Sequence, residues 1–436
     1  MAGAERLRYT ATRAMTKRLE PLSAPISLDL DGETIPAREG EPVAAALLAS
    51  GETLFSRSAK YHRPRGPFCL TGGCSHCLMR VDGVPNVPTC RVPAKTGMHL
   101  ERQNALPDAR VDLLRAADFV FRSWFNHHEF LAGVPIAEDV LQRVARKLSG
   151  LGLLPNTPAP GRAPAVKEEH EVVIVGGGAA GLAAAKRLAE LGVAHTLFER
   201  DREVGGRLLL GLDADAPQPW QPASDRLRLG ALVVGLFADE ARPFLAVVEG
   251  ERVHLVFHRA LILANGGQPV LPTFPNNDLP GVLADRAVAA LIRRHRVLPG
   301  ETIACVGEPA LAEAMARLVR EAGGEAVAVG AEPVRAHGLT RVEALTVRAG
   351  GRDEKVRCDV VAVCAPPAPS FELARAGGAK VGWSAAARTF VVEADAAGRT
   401  ANPALFVAGE LTGPVSAANA AASGRAAADA LVGGAR

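Results

Sequence analysis

Four of the seven cysteines, Cys69, Cys74, Cys77 and Cys90, fall in one short stretch, with four, two and twelve residues between them. Soft thiolates at close spacing suit iron–sulfur chemistry. The first two gaps are those of a chain that wraps a 2Fe-2S cluster while a fourth Cys arrives from beyond, although the last gap is short for that arrangement. Gly72 and Gly73 lie in the first gap, where the backbone must bend tightly and approach the cluster sulfurs. Two alternatives stay open. Zinc usually takes paired Cys-x-x-Cys motifs, and only one pair is clear. The other is a structural or redox thiol group, of which a thioredoxin-like pair would leave Cys69 and Cys90 unexplained. A c-type haem is excluded because Leu78, not His, follows Cys77. Cys305, Cys358 and Cys364 are scattered and read as core thiols of buried strands.

The second constellation is a glycine-rich loop. Glu171 to Val175 is a short apolar run with the pattern of a buried parallel strand. It feeds into Gly176-Gly177-Gly178-Ala179-Ala180-Gly181, a helical run follows from Leu182 to Leu191, and a second strand from Ala194 to Phe198 ends at Glu199. In this context Gly176 makes the tight turn, Gly178 admits a pyrophosphate and Gly181 lets helix and strand pack closely. The helix N-terminus faces the phosphates. Glu199, followed by Arg200, sits where a carboxylate binds ribose hydroxyls. Gly205-Gly206-Arg207 resembles the diglycine motif of FAD-binding proteins with two dinucleotide-binding domains. Leu405 to Glu410 resembles their closing motif, with Gly409-Glu410 where Gly-Asp is usual. A helix from about Ala417 to Val432 would close over the flavin.

Flavoproteins of this type often carry a second, inserted domain for NAD(P)H. Ala264-Asn265-Gly266 resembles the Ala-Thr-Gly segment that marks the crossover to it. Thr302 to Val306 reads as a strand and Glu313 to Ala322 as a helix. The loop between is Gly307-Glu308-Pro309-Ala310-Leu311-Ala312, so Pro309 and Ala312 stand where two glycines are needed. Proline lacks an N–H and brings a ring to the place where backbone should approach phosphate. Glu308 adds negative charge. The expectation is a degenerate domain that does not take NAD(P)H, holding another nucleotide or none.

The elements that position these groups follow from turn and breaker signals. Ile26 to Leu30 alternates, Asp31-Gly32 marks a hairpin, Glu41 to Ser50 reads as a helix stopped by Gly51, and Asp82-Gly83 marks a second hairpin leading to Cys90. Hairpin, helix, cluster loop and hairpin is the order of a β-grasp ferredoxin fold. The fold class is α/β: a flavoprotein with a Rossmann-like FAD domain and an inserted NAD-like domain, preceded by a ferredoxin-like domain. The expected boundaries are a disordered tail over 1–20, the ferredoxin-like domain over 21–104, and a helical connector with a Pro-rich linker over 105–168. The FAD domain spans 169–290 with 380–436, and the inserted domain 291–379.

Composition sets limits. The 436 residues carry 50 Lys+Arg against 47 Asp+Glu, a net charge of +3, so nothing marks a general nucleic-acid binder. No long apolar run reads as a membrane span. The N-terminus lacks the apolar core of a secretory signal, and an odd cysteine count argues against a disulfide scaffold, so a cytoplasmic location is expected.

One segment is more specific than these motifs: Ser56-Arg57-Ser58-Ala59-Lys60-Tyr61-His62-Arg63-Pro64-Arg65-Gly66-Pro67-Phe68-Cys69. It resembles the N-terminal region of the α subunit of heteromeric sarcosine oxidase and its relatives. These include hydrogen cyanide synthase, opine oxidases and dye-linked proline or hydroxyproline dehydrogenases. Val81 to Asn86, Phe274 to Val282 and Ala408 to Gly413 resemble the same family, over most of residues 20–436. The resemblance implies an FAD and 2Fe-2S subunit that passes electrons from a D-amino-acid-oxidase-like flavoprotein β subunit to an acceptor, with further small subunits as additional partners. The chain ends after the flavin-closing helix, where sarcosine oxidase α continues into a folate-binding domain, so the resemblance favours the dehydrogenase and opine-oxidase relatives. Two other classes remain as alternatives: a free-standing NAD(P)H-dependent reductase and a non-catalytic assembly subunit. No catalytic residue is named.

The basic run Arg57, Lys60, His62, Arg63 and Arg65 could hold the phosphate of FMN or another nucleotide at a subunit interface, tune the cluster, or form a solvated loop. Phe119, Phe121, Trp124, Phe125 and Phe130 suggest packing or docking, and the neighbouring His127, His128 and Glu129 diverge too far on a helix to share a metal.

Overall fold

The computed structural model describes residues 16–59, 61–115, 163–213, 216–237 and 242–433. The aromatic run over 119–130, the His127–Glu129 triplet, most of the connector and Lys60 lie outside them. The chain divides into two compact units: Met1–Thr157 with Leu271–Cys364, and Pro158–Val270 with Ala365–Arg436.

In the first unit, strands Pro25–Leu30 and Glu33–Arg38 pair antiparallel around Asp31 and Gly32, whose φ angles are 51° and 87°. Two successive positive φ angles make the tight turn that matches strand twist. Asp82 and Gly83 repeat it at 47° and 80°, joining Leu78–Val81 to Val84–Pro88. Helix Val43–Ala49 buries the side chains of Val43 to Leu48 against this sheet. The spatial order is Glu33–Arg38, Pro25–Leu30, His99–Glu101, Leu78–Val81, Val84–Pro88, with a parallel pair at its centre. This is the expected β-grasp.

The same unit holds a parallel sheet of Val282–Ala284, Val360–Cys364, Thr302–Gly307 and Glu325–Val329, in that order. Helices Asp285–Arg293 and Pro309–Glu321 pack on it. Cys305, Cys358 and Cys364 are all buried here. Burial pushes the Cys305 and Cys358 thiols up to about 12 and Cys364 higher still, which leaves them unreactive.

Three boundaries differ from the sequence expectation. Lys17–Arg18 is a strand on Val297–Leu298, held by the Arg18 guanidinium on both Glu41 oxygens at 3.1 and 2.7 Å, so the expected tail ends before residue 17. Residues 105–112 belong with the ferredoxin-like module, because Arg57 donates to Ala109 O at 2.8 and 2.6 Å and His62 Nδ1 meets Asp112 at 3.0 Å. The inserted segment spans 271–364 rather than 291–379, because its edge strand Val282–Ala284 pairs with Val360–Cys364. Motif spacing marks the loops between strands and not which sheet a strand joins.

The second unit is built on a seven-stranded sheet. Leu227–Leu229, His195–Glu199, Val166–Val175, Arg252–Leu263, Phe244–Glu249 and Ala231–Phe237 lie in that order, and Leu405–Val407 also pairs with Arg252–Leu263. Val166–Val175 is twice the apolar run read from sequence, because its charged first half pairs with His254–His258. Phe198 and Leu263 both sit opposite Val175, and Val407 opposite Leu263, so four parallel strands end level. Helices Ala179–Glu190 and Ala417–Gly433 cover one face. Gly424 brings them to backbone contact: a Cβ there would lie 2.0 Å from Ala180 O. No described helix is long and apolar enough to cross a membrane.

Candidate cofactor sites

The four clustered cysteines are brought together. Leu78 pairs with Pro88 across the second hairpin, which returns Cys90 beside Cys77. That is how the short last gap is spanned. Thr89 grips the turn, donating from Oγ1 to Cys77 O at 2.8 Å. On the other arm, Leu70 and Gly72 take φ of 52° and 80°, and Thr71 N donates to Cys69 Sγ at 3.4 Å. A Cβ on Gly72 would lie 2.9 Å from Arg91 Cγ, so the bend admits no larger residue without moving that side chain. Cys69, Cys77 and Cys90 are buried and Cys74 is partly so.

Cys69 neighbours Cys74 and Cys90, and Cys90 neighbours Cys77. Bonds from Cys74 and Cys90 push Cys69 far below the ordinary thiol range, and the bond from Cys90 lowers Cys77. The same bonds push Cys74 and Cys90 up. Among the described residues no three His, Cys, Asp or Glu side chains converge to hold a single metal ion. Four soft thiols, three of them buried, are the donor set that a 2Fe-2S cluster requires. The donor set therefore fits a 2Fe-2S cluster.

The glycine loop of the second unit lies at the level ends of the parallel strands. Gly176 has φ 103°, and a Cβ there would lie 2.4 Å from Ala264 O. A Cβ on Gly181 would lie 1.8 Å from Gly176 O. Over Gly178 the space is open, and Gly206, at φ 53°, borders it. Glu199 is buried and accepts from Gly177 N at 2.6 Å and Asp201 N at 2.8 Å. Burial raises its carboxyl above the ordinary range against those two bonds. Gly205 N donates to Gly177 O at 2.8 Å and brings the diglycine turn to the loop. Asn265 Oδ1 and Ser370 Oγ are buried without a hydrogen-bond partner, although Asn265 Nδ2 donates to Ser370 O at 2.8 Å. An open glycine cradle, a carboxylate at the strand end and an orphaned acceptor fit a dinucleotide such as FAD.

The other residues expected at this site divide. Ala180 packs under Gly409 and Gly424. Arg207 and Glu410 meet each other at 2.6 Å, with Arg207 also on Asp213 and on Val415 O at 2.9 Å. Glu410 further accepts from Gly267 N at 3.0 Å beside Gly266, and Gly409 N donates to Ser423 Oγ at 2.8 Å. Arg200 lies beside Glu199 and favours its charged form. Ser370, Ser423 and Thr89 were not read from the sequence. Thr89 stands beside Cys90, and that adjacency was the available signal.

The second glycine-type loop is closed. Glu308 caps helix Pro309–Glu321, accepting from Ala310 N at 3.3 Å and Leu311 N at 2.8 Å. The amides that would face a pyrophosphate are taken by the protein's own carboxylate.

Among the described residues, the side chains of the basic run are engaged by the protein's own groups. Arg57 is buried on Ala109 O and His62 O, His62 meets Asp112, Arg63 lies 2.9 Å from Asp278, and Arg65 pairs with Asp278. Arg57, His62, Arg63 and Arg65 are each engaged inside the first unit.

Comparison with known proteins agrees with this geometry. Residues 23–105 match the family described as a 2Fe-2S iron-sulfur cluster binding domain, and residues 174–211 an NAD(P)-binding Rossmann-like domain. Hydrogen cyanide synthase subunit HcnA of Pseudomonas aeruginosa is 32% identical over 87 residues, which cover 20% of this chain and 83% of that subunit. The sarcosine oxidase α subunit of Rhizobium meliloti is 27% identical over 461 residues, covering 94% of this chain and 46% of that subunit. The chain belongs to the family of these heteromeric sarcosine oxidase and hydrogen cyanide synthase subunits. It spans less than half the length of the sarcosine oxidase α subunits it matches. The crystal structure of L-proline dehydrogenase from P. horikoshii shares the fold, with a TM-score of 0.69 at 19% identity over 94% of this chain and 73% of that one.

Proposed function

We propose that this chain is the electron-transfer subunit of a multi-subunit amine or amino-acid dehydrogenase. A partner flavoprotein subunit of the D-amino-acid-oxidase type would oxidise an opine, proline, hydroxyproline or sarcosine-like substrate, and this chain would hand the electrons to an acceptor. Cys69, Cys74, Cys77 and Cys90 would hold a 2Fe-2S cluster. Gly176, Gly178, Gly181, Glu199, Gly205, Gly206 and Asn265 would line FAD. The chemistry such groups supply when bound is two-electron uptake and one-electron release.

The observation that carries this reading is the contrast between the two dinucleotide-type loops. The space over Gly178 is open, whereas Glu308 occupies the amides of Ala310 and Leu311. On this reading the chain seats one dinucleotide and not the second, and receives its electrons from something other than NAD(P)H. Glu199 holds the Gly177 amide and fixes the loop. Arg207 and Glu410 tie the diglycine turn to the start of the final helix.

The test is anaerobic mixing of the purified complex with each candidate amine, followed by EPR, with NADH as the parallel reductant. A reduced-cluster signal from an amine, with no bleaching by NADH, is expected. Rapid bleaching by NADH, or a cluster that stays oxidised with every amine, would refute the assignment.

A further inference from the structure

The inserted domain has lost its nucleotide site yet remains closely joined to the cluster module. The ties concentrate on the six residues that precede Cys69. Arg63 Nη2 lies 2.9 Å from Asp278 Oδ1 and donates to Asn276 Oδ1 at 2.8 Å. Arg65 pairs with the second oxygen of Asp278. Gly66 lies against Pro280, so close that a Cβ would sit 3.1 Å from the Pro280 Cβ and 2.3 Å from Thr53 O. Phe68 O, one residue before the first cysteine, accepts from Ala284 N at 3.0 Å.

Ala284 ends the edge strand Val282–Ala284 and immediately precedes helix Asp285–Arg293. An edge strand leaves one row of backbone groups unpaired, and here the cluster loop takes the last of them. Asn276 in turn donates from Nδ2 to Ala336 O at 2.9 Å, which links the contact to strand Glu332–His337 of the inserted segment. Asp278 is largely buried, with 13% of its side chain exposed, and answers two arginines at once. A buried carboxylate shared by two cations holds both in place, and neutralising it takes the counter-charge from both, leaving Arg63 only its bond to Asn276.

We propose that the inserted Rossmann-like domain has exchanged nucleotide binding for seating the cluster loop, and that Asp278 is the positioning residue that fixes the Cys69 arm. This rests on the reading that Cys69, Cys74, Cys77 and Cys90 hold a cluster. Asp278 acts through Arg63 and Arg65 and touches no thiol itself.

The test compares the full chain with Asp278→Asn and Asp278→Glu. Hydrogen exchange is followed at the Ala284 amide and over residues 64–70. Iron per chain, EPR g values and midpoint potential are measured on the same samples. Asp278→Asn is expected to speed exchange at Ala284 at least tenfold, to lower iron per chain, and to shift the g values and raise the potential of the clusters that remain. The rise follows because Arg63 and Arg65 lose their counter-charge and favour the added electron. Asp278→Glu is expected to restore most of each readout. Wild-type exchange and g values in Asp278→Asn would overturn the proposal. So would loss of iron with unchanged g values and potential in the surviving clusters, since that is a folding defect alone. An iron-free wild-type chain would sink the cluster reading instead, and the exchange comparison would still decide the clamp.

Discussion

Gly424 offers a sharp test of how the flavin-type site is closed. The Cβ introduced by Gly424→Ala would lie 2.0 Å from Ala180 O and 2.8 Å from Ala180 C, both backbone atoms that cannot rotate away. A carbon–oxygen contact needs roughly 3.3 Å, so the helices must separate by about 1.3 Å. Overpacking of this kind costs about 1–3 kcal/mol, towards the upper end where the obstacle is backbone. Alanine's better helix propensity returns about 1 kcal/mol, so a net loss of about 1–2 kcal/mol is expected. At about 2–4 °C per kcal/mol the transition of this unit should fall by a few degrees. Gly433→Ala is the internal control: it lies in the same helix, with nothing within 4 Å of the added carbon. It should be neutral or slightly stabilising. Thermal unfolding followed by far-UV circular dichroism distinguishes the two. Separation of the helices should also displace Ser423 from Gly409 N and weaken flavin retention. If Gly424→Ala is as stable as Gly433→Ala and holds flavin equally, the backbone contact does not close the site.

Two further outcomes can be checked. Glu199→Gln removes a carboxylate that burial already disfavours, so the flavin-free fold should change by no more than about 1 kcal/mol, while flavin affinity falls at least tenfold through loss of a charged hydrogen bond. Fluorescence titration with FAD measures this, and equal affinity for both proteins would remove Glu199 from the site. Glu168 is opposed by burial but held below the ordinary carboxyl range by bonds from His254 at 2.6 Å and His170 at 3.2 Å and by Arg228. Its folded value lies below its unfolded one, so its stabilisation is present above about pH 4 and lost as pH falls through the folded value. Urea midpoints measured from neutral to acid pH should therefore fall less steeply in Glu168→Gln than in the wild type, and identical slopes would contradict this.

Much of the site was legible as local grammar. The Asp31-Gly32 and Asp82-Gly83 turns, the glycine loop from Gly176 to Gly181 and Glu199 at the strand end each need a particular residue at a particular φ or beside a particular group. Such requirements act over a few residues and leave a mark in sequence. The fate of Glu308 was half legible: its charge at the wrong place was visible, but its capping of Ala310 and Leu311 was not. The role of the basic run stayed open in the sequence, because the partner of Arg63 and Arg65 stands more than two hundred residues away at Asp278.

The sequence by itself set out four clustered cysteines, one glycine loop between a strand and a helix, and a second loop with Pro309 and Ala312 in place of two glycines. These depend on side-chain chemistry and short spacing. Only the tertiary structure decided how the short gap from Cys77 to Cys90 closes, that Arg207 and Glu410 meet, and that Ala284 N bonds Phe68 O just before Cys69. Those outcomes depend on which strands share a sheet and which buried charges find each other, and neither is written in the spacing of residues along the chain.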